Sequence, residues 1–260
     1  YNILVSGLDD DNGGSDTNIL VRFDVPNKRI DLVSLPRDTL LHNEYRNNKL
    51  NFAYAQGGTE LLMEQIENLL GIPVDFYVTV NLKGFIALVD QIDGVDFDIP
   101  INMDYDDPYQ DLHIHFTKGP RHLNGQEAME VVRFRHNNDG TGYGTEDIGR
   151  IGTQQAFLKA VAKQLLQIGN VKNIPALVDI FYTYIKTDLT TGNLVWLGNE
   201  ALNIGTENIH FATLPGDGSG YYNKQSVYVL DAQATCDLVN EALNPYNEAL
   251  TLEDMDILVP

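Results

Sequence analysis

Apolar and polar residues change their period repeatedly along the chain, and each change marks an element. Residues 1–6, 18–25 and 29–35 read as three strands, the last two joined by a tight turn at Pro26-Asn27-Lys28. Between the first two strands lies Gly7-Leu8-Asp9-Asp10-Asp11-Asn12-Gly13-Gly14-Ser15-Asp16, a loop at a strand's carboxyl end, where α/β sheets hold ligands. Thr59 is placed to cap a helix with Leu62, Ile66, Leu69 and Leu70 on one face, stopped by Gly71 and Pro73. Residues 74–80 alternate as a strand, 82–92 follow a helical period closed near Gly94, and 95–99 alternate again. Strands interleaved with helices predict an α/β fold, a three-layer αβα arrangement with a central mixed β-sheet flanked by helices.

The second half is less regular. Residues 102–118 are rich in Asp and Tyr without a clear period and read as mostly loop, and Asn124 caps a short helix through Val131. An amphipathic helix is expected over 154–167, with Phe157, Leu158, Val161 and Leu165 inward, and Pro175 suits the first turn of another through Tyr184. A helix around 194–202, strands near 209–214 and 226–230, and a helix over 232–243 complete the pattern. Phe85, Leu88, Val89, Phe157, Val161, Leu177 and Phe181 fall at helical spacing, for which an ordinary core role is favoured over lining a ligand tunnel.

Composition narrows the classes. The 260 residues, 43% of them hydrophobic, suffice for one large core, and a single domain over 1–260 is expected. A net charge of −20 argues against nucleic acid, whose phosphates require a basic footprint. No apolar run is long enough to span a bilayer, yet the chain opens at Tyr1 directly into an apolar strand, so it reads as part of something longer. Cys236 is the sole cysteine, in an apolar-periodic helix, which predicts a buried inert thiol and excludes disulfides and cysteine zinc sites.

Against this acidic background stands Val131-Val132-Arg133-Phe134-Arg135-His136, followed by Asp147-Ile148-Gly149-Arg150-Ile151-Gly152-Thr153-Gln154. Three of only 8 arginines lie within 18 positions, beside apolar or glycine neighbours. If 133–135 runs extended, both guanidinium groups leave one face while Val132 and Phe134 leave the other. Paired guanidinium forks suit phosphate or pyrophosphate oxygens; the competing explanation is surface pairing with carboxylates. Asp9 and Asp16 flank the glycine-rich turn and suit Mg²⁺ beside substrate phosphates, with Asp10 and Asp11 as other candidate ligands and a solvated acidic loop as the alternative. Arg37, in Leu35-Pro36-Arg37-Asp38-Thr39, also follows a strand end, the alternative being an Arg37–Asp38 neighbourhood that serves only as a turn. His113 and His115 have i, i+2 spacing with no third ligand nearby in sequence, so they read as surface or hydrogen-bonding histidines rather than a zinc site. No Gly-x-Ser-x-Gly elbow is present.

Taken in order, Asn2-Ile3-Leu4-Val5-Ser6-Gly7-Leu8-Asp9, Ser15-Asp16-Thr17, Ser34-Leu35-Pro36-Arg37-Asp38-Thr39, Lys49-Leu50-Asn51-Phe52-Ala53-Tyr54, Gly57-Gly58, Gly71-Ile72-Pro73-Val74-Asp75, Leu123-Asn124-Gly125, Val132-Arg133-Phe134-Arg135 and Gly149-Arg150 through Gln154 resemble the LytR-CpsA-Psr family. The resemblance implies a membrane-anchored enzyme, its anchor outside this chain, on the outer face of the cytoplasmic membrane of a Gram-positive bacterium. It implies transfer of a phosphoglycan, such as teichoic acid or capsular polymer, from a polyprenyl-pyrophosphate carrier held in an apolar tunnel to peptidoglycan. Carried over by position, Asp9 and Asp16 hold Mg²⁺, with Mn²⁺ as the other candidate metal. Arg37, Arg133, Arg135 and Arg150 grip the pyrophosphate, with Lys49 and Gln154 beside it. A muramyl hydroxyl attacks, and Asp9 is the implied proton acceptor, although a metal-bound carboxylate is a poor base. The chain departs from the family pattern at Asp11 and Thr153, where many members carry arginine, which removes two phosphate donors. Two other readings stand beside transfer: a polyprenyl-pyrophosphate pyrophosphatase, and a non-catalytic lipid-binding regulator of the cell envelope.

Overall fold

The structure, a computed structural model, describes residues 1–8, 13–45, 47–143, 146–168 and 182–259, with the backbone alone for 146–148, 150, 151 and 166–168. The chain divides into two units, one formed by Tyr1–Asn81 with Ile185–Pro260 and the other by Leu82–Tyr184.

The first unit is built on a six-stranded mixed sheet. Its strands are β1 (Asn2–Leu8), β2 (Ser15–Asp24), β3 (Arg29–Leu35), β4 (Phe76–Val80), β9 (Ile185–Thr187) and β10 (Ile209–Thr213), in the order β10-β3-β2-β1-β4-β9. β1 pairs antiparallel with β2 and parallel with β4, while β10 runs parallel to β3. The carboxyl ends of β1, β3, β4 and β10 therefore share one edge of the sheet. Register places Leu4, Leu20 and Val33 side by side, all buried. Because side chains alternate along a strand, these three share a face, and they pack with helices α1 (Leu50–Leu70) and α6 (Ala232–Ala242) through Leu62, Ile66, Leu69, Val239 and the buried Cys236. Helix α5 (Thr191–Ile204), closed at its start by a Thr190 capping box, packs against β3. The expected α/β fold with a central mixed sheet and flanking helices is what this unit adopts. A hairpin of β11 (Gly216–Tyr222) and β12 (Gln225–Leu230) turns through Asn223 and Lys224, both at positive φ, the backbone a two-residue primed turn requires.

The second unit has its own core, with Phe134 and Phe157 fully buried among Val89, Val95, Ile114 and Leu123. Helices α2 (Leu82–Gln91), α3 (Gly125–Arg133) and α4 (Glu146–Ile168) pack with two antiparallel strand pairs, β5 (Val95–Ile99) with β8 (Gly119–Leu123) and, between them in the chain, the hairpin of β6 (Met103–Asp107) with β7 (Leu112–Phe116). Of the residues weighed between core and tunnel, Val89, Phe157 and Val161 are buried in this core, Phe85 packs on it and Leu88 is partly buried; Leu177 and Phe181 lie outside the described residues.

Three expectations are corrected. Residues 102–118 form the β6–β7 hairpin rather than loop, because Leu112, Ile114 and Phe116 alternate into the core beneath an outer face of histidine and aspartate. The first helix begins at Leu50 and breaks at Gly57-Gly58, where Gly58 takes φ 68°, so Thr59 opens its second half rather than the whole. Helix α4 begins at Glu146, eight residues early, running through Gly149 and Gly152 that propensity disfavours. The helix expected from Pro175 falls largely outside the described residues.

Candidate functional site

The first set of candidate residues sits at the sheet edge where β1, β3, β4 and β10 end. Gly7 faces Thr17 and Leu8 faces Ser15, so Asp16 is the extra residue of a β-bulge on β2. A bulge leaves its residue out of the ladder and re-aims its side chain. Asp16 thereby reaches Arg37, whose Nη1 donates to Asp16 Oδ1 at 2.6 Å. Arg37 follows β3 directly, and its backbone carbonyl accepts from Asn51 N at 2.9 Å, which ties it to the start of α1. Asp38 continues the chain of charge, with Oδ2 3.8 Å from Arg37 Nε and Oδ1 3.1 Å from Lys49 Nζ. Lys49 is the residue before α1, held by pairing with Leu40. Alternating charges in the order Asp16, Arg37, Asp38, Lys49 let each cation be oriented by a carboxylate while staying partly exposed, with Arg37 at 27% and Lys49 at 20%. In sequence Asp38 reads only as a turn neighbour of Arg37; its approach to Lys49 comes from the fold.

Asp16 offers a hard carboxylate oxygen of the kind Mg²⁺ takes, at a partly exposed position, and so fits as one ligand. Asp9, Asp10 and Asp11 lie outside the described residues.

The second set belongs to the other unit. Asn124 caps α3 through a full capping box with Glu127, fixing where the helix starts and hence where Arg133 ends it. Arg133 is the last helical residue, not part of a strand as the extended reading supposed. Phe134 N–H closes the helix on Glu130 O at 3.1 Å, and the Phe134 ring enters the core edge-on to Tyr143 at 5.6 Å. Burying Phe134 leaves its flanking arginines outward, Arg135 exposed and Arg133 partly so, with Arg133 Nη2 donating to Gln110 Oε1 at 2.5 Å. A cation at a helix C-terminus also meets the negative end of the helix dipole. Gln154, on α4, donates through Nε2 to Val132 O at 3.2 Å, binding α4 to the turn that carries both arginines. Thr153 is buried and donates its hydroxyl to Gly149 O at 3.0 Å, which gives the departure from arginine here a structural role. Arg150 lies on α4, its side chain outside the description.

The first unit is thus an α/β sheet with an acid–guanidinium cluster at its carboxyl edge, and the second carries two arginines at the end of a helix. A profile of the LytR_cpsA_psr family matches residues 1–244, and the chain belongs to this family. It is 31% identical over 248 residues to TagV of Bacillus subtilis, named a polyisoprenyl-teichoic acid–peptidoglycan teichoic acid transferase, covering 90% of this chain and 61% of that protein. It is 30% identical over 219 residues to the regulatory protein MsrR of Staphylococcus aureus, covering 82% of this chain and 64% of that protein. The chain thus spans less than two thirds of either relative. The crystal structure of B. subtilis TagV superposes with a TM-score of 0.76 at 27% identity, over 100% of this chain and 98% of that one. No helix among the described residues is long and apolar enough to cross a membrane.

Proposed function

We propose that this chain is a phosphotransferase that moves a phosphoglycan from a polyprenyl-pyrophosphate carrier to peptidoglycan. The supporting observation is the Asp16–Arg37 pair set by a β-bulge at the sheet edge, in a chain 31% identical to a protein named for that transfer. In the reaction, an acceptor hydroxyl of peptidoglycan attacks the phosphorus attached to the glycan. The phosphorus–oxygen bond to the prenyl phosphate breaks, prenyl phosphate departs, and the hydroxyl proton passes to a base, for which Asp9 is proposed. Such chemistry depends mostly on positioning and charge neutralisation. Arg37, Arg133, Arg135 and Arg150 are proposed as donors to the pyrophosphate oxygens, with Lys49 and Gln154 assisting. Asp16 and Asp9 are proposed to hold Mg²⁺, or Mn²⁺ in its place, which when bound neutralises pyrophosphate charge and polarises its oxygens. Because its acceptor lies outside the cytoplasm, the chain is placed on the outer face of the cytoplasmic membrane, anchored by a segment beyond these residues.

The test is incubation with a polyprenyl-pyrophosphate glycan, Mg²⁺ and peptidoglycan, followed by product analysis. Glycan joined to peptidoglycan is expected, with Arg37→Ala lowering the rate by ~100-fold or more. The same change should cost less than ~1 kcal/mol of stability, since a partly exposed ion pair is worth little. Free glycan phosphate as the product would favour the pyrophosphatase reading. The relative named as a regulator keeps a non-catalytic reading open, and binding of the lipid without turnover would favour it. Turnover unaffected by Asp16→Ala and Arg135→Ala would displace the site.

A further inference from the structure

The outer face of the β6–β7 hairpin carries chemistry that the proposed transfer does not use. Cross-strand register sets Asp106 opposite His113 and Asp104 opposite His115. Alternation sends all four side chains to the solvent face, while Met103, Leu112, Ile114 and Phe116 fill the core on the other. The third ligand that seemed missing along the sequence is thus supplied by the neighbouring strand.

The arrangement has an inner and an outer part. Asp106 Oδ1 lies between two ring nitrogens, 2.5 Å from His113 Nδ1 and 3.4 Å from His115 Nε2. The other nitrogen of His115 is backed by a carboxylate, Nδ1 lying 2.8 Å from Asp104 Oδ1, whereas His113 Nε2 only faces the fully exposed Asp111 at 3.6 Å, beyond hydrogen-bond reach. Metal-binding histidines are commonly held in this way: an outer carboxylate accepts one ring N–H, fixes the tautomer, and leaves the lone pair of the inner nitrogen to the ion. Donor atoms of Asp106, His113 and His115 all lie within 4.8 Å of one another, the one such grouping among the described residues. Tetrahedral zinc places its donors ~3.3 Å apart, a closure that rotation of exposed side chains supplies.

We infer that Asp106, His113 and His115 form a binding site for a divalent transition cation of the imidazole-favouring class, Zn²⁺ being the representative, with Asp104 orienting the His115 ring. Two imidazoles and one carboxylate are too nitrogen-rich for Mg²⁺ or Ca²⁺ and suit zinc, copper or nickel. All three ligands are about half exposed, so water completes the coordination. An ion there would clip β6 to β7 across the open face of the hairpin.

The experiment is calorimetric titration of Zn²⁺ into the intact chain in excess Mg²⁺, which occupies hard-oxygen sites, followed by X-ray absorption at the zinc edge. One Zn²⁺ per chain bound by two imidazoles is expected. His113→Gln with His115→Gln should weaken binding by at least ~10-fold, and Asp104→Asn alone should weaken it while leaving both imidazoles bound. These residues lie on the surface, so circular dichroism should show the variants folded. Absence of Zn²⁺ binding, or binding by the double variant with unchanged affinity, would overturn the assignment. Transfer activity is not part of the readout, so failure here leaves the proposed function standing.

Discussion

At the scale of single residues, partners decide what each charged group can do. Arg37 is held by Asp16 on one side and faces Asp38 on the other, so its guanidinium has a fixed direction. His122 gives a simpler case. Its Nδ1 lies 2.7 Å from Asp96 Oδ1, and this hydrogen bond is the main cause raising its pKa above the ordinary histidine value. A raised folded-state pKa means that the pair stabilises the fold below the unfolded histidine pKa and loses that contribution as pH rises through the folded one. Titration of the His122 ring by NMR should therefore give a midpoint above ~6.5, and Asp96→Asn should return it towards that value. A midpoint unmoved by Asp96→Asn would show that the pair is not formed in solution. Residue-level chemistry was partly legible in the sequence. Arg133, Arg135 and Arg150 stand out because arginine is scarce and Arg37 because it follows a strand end, whereas the approach of Asp38 to Lys49 and of Asp104 to His115 needed the fold.

At the scale of elements, close approach of backbones sets where the arginines sit. Gly125 opens α3, and a Cβ there would come 2.3 Å from the Ile86 carbonyl oxygen on α2. Only glycine lets these helices meet so closely. Gly125→Ala is expected to destabilise the chain by ~1–3 kcal/mol, the usual range for forced overpacking, as measured by denaturant unfolding. An unchanged midpoint would mean that α2 and α3 can part without cost. The elements read correctly from sequence are β1 to β5, α2, the helix capped by Asn124, α5, β10, β12 and α6. The β6–β7 hairpin was missed although Leu112, Ile114 and Phe116 alternate, because aspartate and tyrosine nearby blurred the period on its partner strand. The start of α4 was missed because Gly149 and Gly152 oppose helix propensity, which tertiary packing overrides.

At the scale of the whole molecule, two separate hydrophobic cores support the two sets of candidate residues. The family match over residues 1–244 spans both units. Sheet order could not be read from the sequence, since β9 and β10 join strands formed more than 100 residues earlier. That order places β1 centrally, paired along both edges, and β9 as a three-residue strand at the margin. Hydrogen exchange should thus be slowest at amides of β1 such as Leu4 and Val5 and faster in β9, because protection follows pairing and burial. Equal rates in the two strands would contradict the pairing.

Asp16 interrupts a ladder that would otherwise close without a gap. Were that one position deleted, Thr17 and Ser15 would become consecutive opposite Gly7 and Leu8, and the two strands could zip evenly. The sheet has a smoother alternative within a single codon's reach, yet the irregular form is the one that brings a carboxylate to the guanidinium at its rim.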